Sequence, residues 1–328
     1  MRSRATPLLV LAAVLLAALV LALGVGAARV PPADVVGALL GGGDATTRAI
    51  IRDLRLPRAI LALLIGAGLG VAGAVFQALL RNPLAEPYVL GVSGGAAVGA
   101  VAVIAFAATA PAWLLPLAAF AGGVGTIALV FRIAASVGRA LDTHVLLLAG
   151  VVVGAFFNAV ILLLLTLADV ETFRSAIFWM MGSLASATWS GVGLLAAYLV
   201  PALLALLALA RPLNLMAVGE ETALYLGTPV ERVKRSAYVV ASLLVAAGVA
   251  AAGVIGFVGL IVPHALRLLW GGDHRLLLPG SALAGGAFLL LADTAARTVA
   301  APGELPVGVV TALIGVPVFV LLLTRRAT

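Results

Sequence analysis

Arginine is the residue of this chain whose spacing asks for a partner. In "RAIIRDLRLPRAIL" (48–61), Arg48, Arg52, Arg55 and Arg58 recur every three or four residues. Just downstream runs an apolar segment suited to a membrane, so the cluster stands at the edge of a span. Other chemistry is sparse. His144, His264 and His274 are too far apart to form a ligand pair at helical spacing, so no zinc or haem motif is present. The absence of cysteine removes disulfide and thiol chemistry. The one lysine, Lys234, follows Val233 where a phosphate loop requires glycine, and "GGGD" (41–44) reads as a flexible turn. An intramembrane enzyme would need a serine–histidine pair or a metal cluster, and His144 and His264 have no clear partner. No catalytic, metal or cofactor site of the chain's own is expected.

The elements that carry these residues belong in a membrane. Of 328 residues, 64% are hydrophobic and 10% charged, with a mean hydropathy of +1.24. So few polar groups cannot clothe a water-soluble domain. A span needs about 20 apolar residues, and ten are expected: 7–27, 57–80, 88–107, 112–133, 144–167, 190–210, 232–252, 255–270, 277–299 and 307–323. The eighth is short and contains Pro263. The first is expected to be a retained helix rather than a cleaved signal.

Charge orients them. With the N-terminus inside, Arg2, Arg4, Arg81, Arg132, Arg139, Arg211, Arg232, Lys234, Arg235, Arg267, Arg275, Arg325 and Arg326 fall on the inner side. Arg29, Arg48, Arg52, Arg55, Arg58, Arg174 and Arg297 fall outside. That bias places both termini in the cytoplasm, and it puts the arginine cluster on the side where basic residues are fewer. The net charge of +7 lies in short connections and points to orientation rather than nucleic acid.

Within the spans, Asp293 and Arg297 are spaced to pair along one helix, and Gln77 and Asn158 read as interhelical hydrogen-bonding residues. No proton relay is visible. The stretch 211–235 reads as a structured elbow. "GEETALYL" forms a short helix closed by Gly227, followed by Thr228 as N-cap, Pro229 as first helical residue and Glu231 completing a capping box. "RNPLAEPYVLGVSGG" (81–95) and "GFVGLIVPHALRLLWGGD" (256–273) are expected to be broken helices, tolerated only where protein or water satisfies the backbone.

These segments resemble the FecCD-type permeases, membrane subunits of ABC importers for ferric siderophores, haem and cobalamin. The resemblance runs through "RLPRAILALLIGAGLGVAGAVFQALLRNPLAEPYVLGVSGGAAVGA", "FWMMGSLASATWSGV" (178–192), "GEETALYLG" (219–227), "GFVGLIVPHALRL" (256–268) and "ELPVGVVTALIGVPVFVLLL" (304–323). It implies an all-α polytopic protomer of about ten transmembrane helices, similar to cobalamin-importer permeases (type II ABC importers). The whole of 1–328 would be a single permease domain, with 211–235 as cytoplasmic coupling elbow and 28–56 as periplasmic connection.

The resemblance further implies a bacterial inner-membrane homodimer. Two cytoplasmic subunits would hold ATP and Mg, and a periplasmic or lipid-anchored binding protein would deliver a metal chelate. Gly219, Glu220, Glu221, Ala223, Leu226 and Gly227 would meet the ATPase. Arg55, Arg58 and Arg297 would dock the binding protein, with Arg52 and Arg48 as an extension of that surface. Ser93, Gly94, Gly95, Met180, Met181, Ser183 and Ser186 are candidates for the translocation path or gate; simple helix packing is the competing reading of the small residues. An iron chelate, siderophore or haem, is the first expectation for cargo, with cobalamin close behind. The alternative is a stand-alone carrier or channel for a small solute.

Overall fold

A computed structural model describes residues 5–26, 28–107, 109–137 and 142–324; Arg2, Arg4, Arg139, Arg325 and Arg326 lie outside them. Among the described residues the regular elements are helices, with α-helices in the order α1 (Ala5–Gly24), α2 (Pro32–Leu39), α3 (Ala45–Ala49), α4 (Leu56–Leu79), α5 (Val92–Phe106), α6 (Leu114–Val137), α7 (Thr143–Leu167), α8 (Val170–Met180), α9 (Trp189–Ala208), α10 (Ala210–Val218), α11 (Glu220–Tyr225), α12 (Val230–Ala252), α13 (Val258–Trp270), α14 (His274–Ala296) and α15 (Val307–Thr324). Among them, seven helices are long and apolar enough to cross a membrane, and three shorter apolar helices, α5, α13 and most of α15, stand where the third, eighth and tenth spans were expected.

Burial sorts the long helices into two shells. In α4, 83% of the apolar window is buried, with 67% in α12 and 61% in α14; the fraction falls to 22–28% in α1, α6, α7 and α9. The inner three therefore form the packing centre, and the outer four present apolar side chains as a lipid-facing helix must. α4 packs on α14, α12, α13 and α9. Glycine permits two of these crossings. A Cβ on Gly66 would stand 2.3 Å from the Gly285 carbonyl oxygen of α14, and one on Gly73 would stand 1.9 Å from that of Gly259 in α13. Backbones this close are the small-residue packing on which membrane helices rely.

Several boundaries differ from expectation. The second span matches α4 to within a residue at each end, but the helical run ahead of it reaches back to Ala45. Proline lacks an N–H and its ring crowds the carbonyl four residues earlier. Here a π-helical turn, Ile50–Arg55, directly precedes α4 and widens the run ahead of Pro57. The 28–56 connection is thus largely helical, through α2, α3 and this turn. The eighth span does not break at Pro263, which lies inside α13; the chain is unwound before it, between Ala252 and Val258.

Gly73→Ala should lower stability by about 1–3 kcal/mol, the usual result of overpacking, because backbone rather than a mobile side chain blocks the new methyl. Gly125→Ala, with nothing within 4 Å, should be neutral or slightly stabilising. Thermal unfolding in detergent compares them; equal midpoints for the two variants would refute the tight α4–α13 crossing.

Candidate functional site

The two ends of α4 define two polar faces. At the first, α1 stops at Gly24 and leaves its last carbonyls without helical donors. Arg55, only 7% exposed, donates to the Leu23 carbonyl at 2.6 Å and to the Ala28 carbonyl. Arg297 donates to the Ala22 carbonyl. Two cations at a helix C-terminus also complement its dipole.

Arg58 makes a second tie, across helices. Its Nε lies 3.0 and 3.1 Å from the Asp293 carboxylate oxygens and its Nη2 2.8 Å from Oδ1. Nη1 reaches the Glu304 carboxylate at 3.0 and 3.1 Å. The Arg58 side chain is 13% exposed, Asp293 4% and Glu304 43%. The expected Asp293–Arg297 pair is present but looser, at 3.7 Å.

Arg52 is exposed. Its guanidinium is 3.4 Å from the Leu39 carbonyl, and its own carbonyl accepts the Trp189 indole N–H at 3.0 Å. Arg48 reaches the Gly41 carbonyl at 3.1 Å. The arginines thus divide: Arg55, Arg58 and Arg297 turn into the fold, while Arg52 faces outward. Asp44 caps α3 through the Thr47 N–H and hydroxyl, both at 2.7 Å, and these bonds hold its carboxyl below the usual carboxylate range.

At the other end of α4 stands the elbow, α10 and α11. Its base is tied to the start of α14: the Asn214 amide donates to Asp273 at 2.7 Å and accepts the His274 N–H at 2.8 Å. Ala223 is buried and anchors α11, whereas Val218, Leu224, Tyr225 and Leu226 project, Tyr225 with 91% exposure. Gly219 is half-buried, and Glu221 and Gly227 are exposed. Gly227 ends the helix in the left-handed conformation, φ 79°, as expected. The Gly227 N–H bonds to the Leu224 carbonyl and the Thr228 N–H to that of Ala223, each at 2.9 Å.

The expected capping box does not form. α12 starts at Val230 behind Pro229, with no side-chain cap. Pro229 is not helical, with ψ 75°, so Thr228 stands one residue too early to cap α12, and Glu231 pairs with Lys234 at 3.3 Å. Glu220 bridges two cations, Lys234 at 3.1 Å and Arg81 at 3.1 Å.

Between the faces lies a junction of interrupted helices. The Ser183 N–H bonds to the Ala252 carbonyl at 2.8 Å, and Val307 and Gly308 N–H groups bond to the Gly182 and Met181 carbonyls at 3.1 Å. Glu86 accepts the Phe257 N–H at 2.8 Å. The Tyr88 hydroxyl donates to the Ile255 carbonyl and accepts the Ile255 N–H at 2.9 Å. Gln77 donates to the Leu260 carbonyl at 3.1 Å, the interhelical role expected of it, while Asn158 lies on the exposed side of α7. Glu86 and Tyr88 escaped the sequence reading as bonding groups; their flanking prolines were the only signal.

The candidate path residues separate into two groups. Ser93 and Gly95 are buried on α5; Gly95 lines an apolar groove of about 660 Å³ with Gly99, Gly122 and Phe157, and Gly94 faces Phe157. Met180 packs against a small apolar cluster of Ala97, Val101, Ile161, Leu165 and Ala176. Met181 is half-buried in the junction, and Ser183 and Ser186 are exposed.

A family model described as the FecCD transport family matches residues 14–325. The chain is 47% identical over 281 residues to the cobalamin import system permease protein BtuC of Halobacterium salinarum, covering 86% of this chain and 75% of that protein. It is 41% identical over 321 residues to the vitamin B12 import system permease protein BtuC of Salmonella schwarzengrund, covering 98% and 95%. A solved structure described as an inward-facing conformation of an ABC transporter assigned to the metal-chelate type superposes with a TM-score of 0.88 at 34% identity, covering 97% and 98%.

Removing Asp293 strands the Arg58 cation in a nearly closed site, so Asp293→Ala should cost about 3–5 kcal/mol. Glu304→Ala, removing an exposed partner, should cost no more than about 1 kcal/mol. Comparable losses in denaturation midpoint would show that Asp293 does not hold α4 to α14.

Proposed function

The chain belongs to the FecCD transport family, and on that premise we propose that it is the membrane permease of an ABC importer, with cobalamin as the foremost candidate cargo. Two relatives over most of the chain are cobalamin permeases by name, which moves cobalamin ahead of the iron chelates favoured by sequence. The observation that carries the permease reading is the elbow: a short helix anchored by Ala223 and tipped with exposed Leu224, Tyr225 and Leu226, in a chain without a phosphate-loop motif.

In this reading the protein lies in a bacterial inner membrane with the elbow in the cytoplasm. Two copies form the path, and each elbow seats in an ATP-binding subunit that holds ATP and Mg. A periplasmic or lipid-anchored binding protein meets the arginine face, where Arg52 and Arg48 offer the outward charge and Arg58 the edge of its ion pair with Glu304. ATP biases the assembly between two access states; the elbow converts closure of the ATP-binding subunits into helix movement. This chain contributes position and passage, not hydrolysis.

The complex reconstituted with its ATP-binding subunits and binding protein should hydrolyse ATP faster with cobalamin than with haem or a ferric siderophore. Stimulation by an iron chelate alone would reassign the cargo; transport by the chain without partners would favour a stand-alone carrier. Tyr225→Ala with Leu226→Asp should weaken retention of the ATP-binding subunit by about 30-fold or more, the effect of losing an aromatic anchor. Arg48→Glu with Arg52→Glu should slow docking of the binding protein at low salt and have less effect at high salt. Unchanged retention, or docking indifferent to both charge and salt, would refute the respective surface.

A further inference from the structure

α4 ends on an unexpected residue. The Asn82 N–H bonds to the Gln77 carbonyl at 3.2 Å and the Arg81 N–H to that of Ala78 at 3.3 Å. This paired closure normally places glycine where Arg81 stands. Arg81 adopts the left-handed conformation there, φ 47°, which costs a side-chain-bearing residue energy that glycine would avoid. Its guanidinium reaches Glu220, the first residue of α11, at 3.1 Å. That pair is 55% and 34% exposed, and such ion pairs stabilise a fold little. Stability therefore does not account for arginine at this turn; backbone strain in such a place points to a functional constraint.

The two sides of the pair lead to different parts of the molecule. Through its other oxygen Glu220 holds Lys234, a residue 5% exposed on α12. Beyond Arg81 the chain runs through Ala85, 5% exposed, to Glu86 and Tyr88, which grip the unwound stretch before α13. α5 then begins at Val92. The Arg81–Glu220 ion pair ties the α4–α5 connection to the elbow.

We propose that Arg81 and Glu220 form a strut that positions the α4–α5 connection according to the position of the elbow, so that ATP-driven movement of α11 reaches the Glu86–Tyr88 junction. The strut rests on the reading of the elbow as the seat of the ATP-binding subunit. Arg81 and Glu220 are positioning residues: they act through the connection and touch no cargo.

The absence of cysteine permits a clean test in the full complex, in lipid, with its ATP-binding subunits. Ala85→Cys reports on the connection through labelling by a water-soluble maleimide, with ATP and vanadate or without nucleotide. In the otherwise native complex, nucleotide should change the labelling rate by about fivefold or more, within the usual range of coupling between sites. Arg81→Gly relieves the left-handed strain, so it should fold at least as stably and retain the ATP-binding subunits and their hydrolysis. Its labelling should become nearly indifferent to nucleotide. Arg81→Glu with Glu220→Arg restores the opposite charges and should recover switching beyond either single change.

The strut is overturned if nucleotide leaves Ala85→Cys labelling unchanged in the native background, or if Arg81→Gly switches as that background does. It is also overturned if the exchanged pair holds the ATP-binding subunits yet switches no better than the single variants. Failure of the underlying reading is separate: the ATP-binding subunits would then stay bound to Leu226→Asp.

Discussion

A helix that stops where water is scarce must have its free carbonyls and N–H groups satisfied by protein. The breaks of this fold are closed by side chains from elsewhere in the sequence. Arg55 and Arg297 serve the end of α1, Glu86 and Tyr88 the stretch before α13, and Gln77 the Gly259 carbonyl that Pro263, having no N–H, leaves free. Each closure is also a tertiary contact, so the interruptions that weaken single helices join the bundle together.

The same constraint assigns different work to chemically identical residues. Arg52 and Arg55 are one helical turn apart, yet one is exposed and the other is spent on the end of α1. What the arginine face exposes is the charge left over from folding. At the opposite face, Ala223 is buried so that its neighbours in α11 can project. α4 runs between the two faces; its backbone is clamped by the glycine crossings with α14 and α13, and its far end leads into Arg81.

Local signals were most legible where the local chain decides. Gly227 was readable as a left-handed cap because no other residue fits that conformation as cheaply. Thr228 satisfied the local rules for an N-cap, but Pro229 is not helical, with ψ 75°, and α12 starts one residue later than a Thr228 cap requires. α8 and α10 were missed because their short amphipathic runs lie beside much stronger apolar ones. Asp169, which caps α8 by accepting the Thr172 N–H at 2.8 Å, was the available signal.

By itself the sequence determined the membrane class, the ten apolar segments, the missing nucleotide loop and the family, since hydropathy and motif order are properties of the linear chain. Only the tertiary structure decided what the arginines face. Arg58 meets Asp293 and Glu304, and Arg81 meets Glu220, pairings between residues more than a hundred positions apart. Spacing along one helix predicts neighbours on that helix. A partner across the bundle depends on how closely the helices cross, and here glycine at Gly66 and Gly73 permits that approach.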